Sequence, residues 1–202
     1  MPTFARNNVE NFLCDRIFRG SKSISAFLLS MLALVPLISF NNKGPKAVIS
    51  RGGTPVGNTY ILVDKTDYEL QVFDEEGWYA TYPVVFGSKD LRDKMFEGDK
   101  RTPDGEFKVV LKKIHPQWGP ELLLDYPNEE SVRRFRDRKS KGLIHSKAKI
   151  GGGIAIHATR PDEEWTVDHF YNWTDGCVSV KYTEMQELYD YIQPGTAVII
   201  RY

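Results

Sequence analysis

A mainly β protein of mostly antiparallel strands with one or two helices is the fold class this chain predicts, on three observations. Short runs rich in Val, Ile, Tyr and Phe recur along residues 59–201 with turn residues between them. They follow one another closely enough to pair with their neighbours in sequence. Helix start and stop signals occur at two places, Asn128–Ser140 and Thr183–Ile192. At 202 residues the chain suffices for one domain with a proper core and is too short for two large ones.

Thr59–Val63 and Glu69–Phe73 flank Asp64–Asp67 and read as a hairpin. Glu75–Gly77 turns the chain into a strand over Trp78–Phe86. Ser88–Arg101 is charged and should be a loop, and Thr102-Pro-Asp-Gly105 is a turn into an alternating strand, Glu106–Ile114. Pro116–Pro127 reads as irregular and aromatic. In the first helix Asn128 is the cap, Glu129 and Glu130 come early, and basic residues come late, as the helix dipole favours. Its charged stretch Arg133–Lys141 reads as a solvated face. Gly151–Gly153 precedes a short strand, Ile154–His157. In the second helix Thr183 and Gln186 make a capping box, and Pro194-Gly195 stops it before a last strand, Ala197–Arg201.

Charge is balanced overall, 27 basic against 27 acidic residues, but not locally. Residues 1–46 hold six basic and two acidic groups, leaving 21 and 25 for the rest. A mildly acidic globular part has no electrostatic footprint for nucleic acid. Ile24–Phe40 is 17 residues without a charge behind a basic stretch ending at Lys22. Such a run is expected to be an apolar helix serving as signal peptide or anchor. No small-x-small cleavage site follows, so an uncleaved anchor in the inner membrane is preferred. The basic flank would stay in the cytoplasm and the rest would lie outside it. Expected organisation is therefore 1–40 basic region and signal segment, 41–58 linker, and 59–202 the functional domain. Cys14 precedes the apolar run, the wrong side for an acylated lipoprotein cysteine. Cys177, the only other cysteine, would have no disulfide partner in an oxidising compartment.

Cys177 follows Gly176 between a polar turn and a β-branched run, and His157 ends a strand 20 residues upstream. A thiol nucleophile needs a base in reach, a group to orient that base, and donors for an oxyanion. Two neighbouring strand ends would bring the imidazole of His157 to the thiol, with a backbone carbonyl near Ala158 to orient it. Gly176 would let the amides of Gly176 and Cys177 turn outward as the oxyanion hole. On these residues alone the plainer reading, a buried cysteine at a strand start, is preferred. Arg160 could meet a substrate carboxylate or be a surface arginine. Tyr126, Trp165 and Trp173 could line a groove, although packing is the commoner use of such aromatics. His115, His145 and His169 read as solvated or structural. His157, Cys177, Asp175 and His169 match no zinc spacing, so neither a metal nor a cofactor is expected.

The order His157, sixteen residues, Thr174, one residue, Gly176-Cys177 resembles the signature of bacterial L,D-transpeptidases of the YkuD type, a His, a spacer and Ser/Thr-His-Gly-Cys. Tyr60–Phe73 resembles that family's opening hairpin and Arg101-Thr-Pro-Asp-Gly-Glu-Phe107 its Thr-Pro turn. Asp125-Tyr-Pro-Asn128 and Gly151–His157 match as well, so the resemblance spans about residues 59–201. It implies a β-sandwich or barrel and cysteine acyl transfer on peptidoglycan stem peptides in the bacterial envelope. Cys177 would attack the carbonyl of the L-centre of diaminopimelate in a tetrapeptide, releasing D-alanine. The thioester would pass to an amine on a second stem, to a protein amine such as that of an envelope lipoprotein, or to water. His157 would carry the proton, with Arg160, Tyr126, Trp173 and Asp175 near the substrate. Asp175 stands where the family usually has His, and Ser179 where it often has Arg or Asn. An inward carboxylate would disfavour the thiolate, whereas a Thr-Asp-Gly turn would face it to solvent. A family hydrolase, either a carboxypeptidase or an amidase releasing bound protein, and a silent peptidoglycan-binding module remain as alternatives.

Overall fold

The computed structural model describes residues 47–202. The basic N-terminal region, the apolar segment 24–40 and the first part of the expected linker lie outside the described residues. Nine strands and three helices follow in order. They are β1 (Ile49–Ser50), β2 (Tyr60–Asp64), β3 (Glu69–Asp74), β4 (Gly77–Val85), β5 (Gly105–His115), β6 (Gly119–Leu124), α1 (Glu129–Ser140), β7 (Ala155–Ala158), α2 (Trp165–Asp168), β8 (Val178–Val180), α3 (Tyr182–Tyr191) and β9 (Ala197–Arg201).

The strands lie in the order β1-β4-β3-β2-β9-β5-β6-β7-β8, and β8 pairs back onto β4 through Val84↔Val180 and Val85↔Ser179. Strands β2 to β9 therefore close into an eight-stranded barrel, with β1 as a short extra strand on β4. Closure removes the open edges that would otherwise invite pairing with other chains. Period-two burial is plain in β2, β3 and β9, where Ile61, Val63, Leu70, Val72, Val198 and Ile200 point into the core and alternate with more exposed neighbours. α3 adds Met185 and Leu188 to the same core. Burying each such side chain is worth roughly 1.5–3 kcal/mol.

The sheet is mixed, not wholly antiparallel. β2 and β9 run parallel, as do β7 and β8. A parallel pair cannot be joined by a tight turn and needs a crossover of about a dozen residues or more. The stretch between β7 and β8, with α2 inside it, is that crossover, so the spacing from His157 to Cys177 is a topological length.

Three local expectations are corrected. The stretch 116–127 is not irregular throughout: Gly119–Leu124 is β6, paired with β5 from Val109↔Leu124 to His115↔Gly119. It is buried on both sides, so it shows no alternation to read. The second long helix starts at Tyr182 with Lys181 as its cap and has no capping box. Thr183 instead donates through its amide and hydroxyl to Glu164 Oε1, at 2.8 and 2.9 Å. Part of the expected linker is docked: Ile49 and Ser50 pair with Thr81 and Ala80, and Asp74 accepts from Arg51 and from the amide of Val56.

The charged loop between β4 and β5 is knit by its own carboxylates. Asp99 accepts the amides of Met95, Phe96 and Arg101 and pairs with Lys94 at 2.8 Å. Asp93 pairs with Arg134 and Arg138 of α1 and accepts the amide of Asp104. The Thr-Pro turn is held from beneath by Lys65, which is fully buried, with Nζ 3.1 Å from the Thr102 carbonyl oxygen and 2.6 Å from Asp104 Oδ1.

Candidate active site

β7 and β8 lie side by side with Ile156↔Val178, His157↔Ser179 and Ala158↔Val180 in register. Ile156, Ala158, Val178 and Val180 belong to the core. Side chains alternate along a strand, so His157 and Ser179 lie on the opposite face, and Cys177, two residues before Ser179, falls on it too. Parallel pairing thus places Cys177 one strand repeat, roughly 6.6 Å along the chain, from the level of His157.

His157 is buried, and its Nδ1 lies 2.8 Å from the carbonyl oxygen of Ala158. A carbonyl only accepts, so Nδ1 carries the proton and Nε2 is the basic atom. Desolvation pushes the imidazole below its ordinary pKa, while the Ala158 bond and the charge of Glu121 pull the other way. Burial thus favours the neutral imidazole. The ring packs against Trp173 at 5.4 Å, edge to face, and against Trp118 at 6.2 Å.

Cys177 is half-buried and free. Burial pushes the thiol up to about 11, and repulsion from Glu121 and Asp175 adds to it; the Ala155 amide and Lys94 act against it. Sγ lies 3.6 Å from the Gly153 carbonyl oxygen. Burial thus disfavours the charged form of both the thiol and the imidazole that share this face. A thiol in this state could act as a nucleophile only with proton transfer during attack.

Gly176 has φ +127°, and a Cβ there would lie 2.8 Å from the Arg101 carbonyl oxygen. Close backbone approach is what demands glycine. Its amide does not point outward as an oxyanion donor: it donates to Thr174 Oγ1 at 3.2 Å, and Thr174 Oγ1 donates in turn to the Cys177 carbonyl at 2.8 Å. The expected amide pair is therefore reduced to that of Cys177.

Asp175 is 91% exposed at its side chain and pairs with Lys100 at 3.4 Å. It is the solvent-facing turn residue. Trp173 lies inside the cluster, 5.0 Å from Trp118, and its amide donates to the Phe86 carbonyl. The Arg160 guanidinium lies 4.9 Å over the Trp118 ring and pairs with Glu163 at 3.0 Å. Tyr126 is a core residue: its ring meets Phe107, its hydroxyl donates to the Ile150 carbonyl at 3.3 Å, and burial pushes its pKa up to about 12. Trp165 sits apart from these rings against His169 and Tyr171. Among the described residues no group of three or more His, Cys, Asp and Glu side chains gathers as a metal site.

Sequence reasoning missed Trp118 and Glu121, and took His115, which stacks on Trp118, as merely solvated or structural. Glu121 opposes His157 in register and is buried. The signal that could have found both was a β5–β6 hairpin around Pro116–Trp118.

The closed mixed barrel thus carries a free thiol and an imidazole oriented by a backbone carbonyl on one outer face. The chain belongs to the L,D-transpeptidase catalytic domain family, YkuD, which matches residues 58–200. It is 28% identical over 145 residues to "Putative L,D-transpeptidase YqjB" of Bacillus subtilis (strain 168), covering 71% of this chain and 72% of that one. Among solved structures it resembles the helical cell shape determining protein Pgp2 from Campylobacter jejuni, with TM-score 0.53 and 23% identity over 87% of this chain and 54% of that one. Bd1075 of Bdellovibrio bacteriovorus is similar, with TM-score 0.51 and 23% identity over 78% of this chain and 52% of that one. The chain spans about half the length of these two solved proteins. The likeness to them is one of fold. Membership of the family supports a peptidoglycan-related activity and a place in the cell envelope.

Proposed function

We propose that this chain is a cysteine acyltransferase acting on peptidoglycan tetrapeptide stems. The single observation that supports it most is the shared face of β7 and β8, which carries Cys177 and an imidazole oriented by the Ala158 carbonyl. His157 Nε2 takes the thiol proton as Sγ bonds to the carbonyl carbon of the L-centre of diaminopimelate. The oxyanion that forms is met by the Cys177 amide. Collapse breaks the bond to the nitrogen of D-alanine, which leaves with the proton held on His157. An amine of a second stem, or of an envelope lipoprotein, then attacks the thioester carbonyl and gives its proton to His157. Sγ leaves, recovers that proton, and the thiol is restored.

Arg160 and Trp173 would bind the stem, Arg160 through a substrate carboxylate in place of Glu163. Tyr126 would support the strand end from the core, and Asp175 would act only at the mouth. Residues 24–40 would anchor the domain in the inner membrane, with the barrel on the outer side where the substrate lies.

The test incubates the full chain and its Cys177→Ala variant with a disaccharide-tetrapeptide in the presence of glycine, and reads products by mass spectrometry. Glycine exchange or a cross-linked dimer, absent in the variant, is expected. His157→Ala should slow turnover by roughly 10²–10⁴-fold. Tripeptide alone would make the protein a carboxypeptidase, and unaltered tetrapeptide would leave a silent binding module.

A further inference from the structure

A continuous row of side chains crosses four strands on the face turned away from the core. Lys113 on β5 opposes Glu121 on β6, Glu121 opposes His157 on β7, and His157 opposes Ser179 on β8. Directly opposed residues point the same way, with Cα atoms about 5 Å apart. Glu121 is only 7% exposed, and its Oε1 lies 3.3 Å from Lys113 Nζ. A buried carboxylate is costly, and a single half-exposed lysine is a poor recompense that an apolar pair would match without loss. Stability alone does not account for a charge at this position.

We propose that Glu121, held by Lys113, is a positioning residue for His157: its charge stabilises the imidazolium that forms when His157 takes the Cys177 proton. The inference rests on His157 being the base. Ala158 already occupies Nδ1, and Trp118 and Trp173 wall the ring from water. A cation formed there without a negative neighbour would be an uncompensated buried charge.

The other ionisable groups around the site do not supply that neighbour. His115 at the end of β5 offers no negative charge and lowers the His157 pKa. Arg160 is positive, and its partner Glu163 is engaged with it. Lys94 bears on Cys177, and Asp175 points to solvent beside Lys100. Glu121 raises the pKa of His157 and, by repulsion, that of Cys177, so it favours protonated His157 over free thiolate. That bias suits an attack in which the proton moves with the bond.

The test uses the full chain as wild type, Glu121→Gln, Glu121→Asp and Lys113→Met. Three readouts are taken: the His157 ring titration by NMR, the pH profile of Cys177 alkylation by iodoacetamide with peptide mapping to separate it from Cys14, and donor turnover. Glu121→Gln should move the His157 midpoint to lower pH and slow turnover about tenfold with KM nearly constant. One unit charge about 6 Å away at an effective dielectric of ~20 sets an upper bound of about a hundredfold, and withdrawal of the unpartnered Lys113 into solvent in the variant removes an opposing charge and brings the net change to about tenfold. Glu121→Asp should restore most of the rate. Lys113→Met should move the midpoint the opposite way, to higher pH, because it removes a positive charge and leaves the carboxylate. A purely structural pair would move both variants in the same direction. A folded Glu121→Gln with an unmoved His157 midpoint overturns the proposal. Should that variant not fold, an unmoved or lowered midpoint in Lys113→Met overturns it equally. Loss of donor turnover in the wild type would defeat the proposed function instead, while the titrations would still decide the role of Glu121.

Discussion

Gly176→Ala tests why glycine precedes the cysteine. At φ +127° an alanine sits in backbone space that L-residues rarely adopt, which costs about 1–3 kcal/mol. Its Cβ would also lie 2.8 Å from the Arg101 carbonyl oxygen, with Ile154 Cδ1 at 3.3 Å. Arg101 cannot simply retreat: its amide is bonded to Asp99, and the next carbonyl, that of Thr102, is held by Lys65. The combined loss should be about 2–4 kcal/mol. For a domain of this size each kcal/mol lowers Tm by about 2–4 °C, so a fall of roughly 4–16 °C is expected. Calorimetry of the wild type and variant reads that directly, and Cys177 alkylation kinetics report whether the thiol has moved. A Tm within about 2 °C of wild type, with unchanged alkylation, would refute the close-approach argument.

Other expectations follow from the same geometry. Burial pushes the Glu184 carboxyl up to about 7; Lys181 opposes this in part, and repulsion from Glu164 and Asp168 adds to the rise. Its folded pKa lies above the unfolded value, so its stabilisation is full below about pH 4.5 and is lost as pH rises through 7, by about 3 kcal/mol. Glu184→Gln should therefore gain on the wild type in urea denaturation at pH 8 relative to pH 4; a gap independent of pH would contradict this. Asn128→Ala removes the cap that accepts the Ser131 amide at 3.0 Å and the Nδ2 bond to the Glu106 carbonyl, and should cost about 1–2 kcal/mol by the same denaturation. Asp175→Asn removes an exposed charge that raises the Cys177 pKa, so alkylation at neutral pH should quicken by less than about threefold, with the melting curve unchanged. A collapse of activity in that variant would show the carboxylate engaged with substrate.

Local chemistry is what the sequence made legible. The hairpin 59–73 and the strands at 78–86, 106–114 and 197–201 are each specified by alternation and by the turn residues between them, and they appear as β2, β3, β4, β5 and β9. Asn128 caps α1 as its side chain demands. The contact of His157 with the Ala158 carbonyl was expected from the sequence and is present, whereas singling out Cys177 over a buried strand-start cysteine took the family resemblance as well as the residue types. β6 was hidden because burial on both sides erases the alternation that marks a strand. With β6 went Glu121 and Trp118, whose places beside His157 depend on a hairpin partner and not on their own neighbours in the chain. Parallel pairing of β7 with β8 and closure of β8 onto β4 are long-range outcomes. They are settled by which strand edges are left to satisfy one another, and no window of sequence contains both edges.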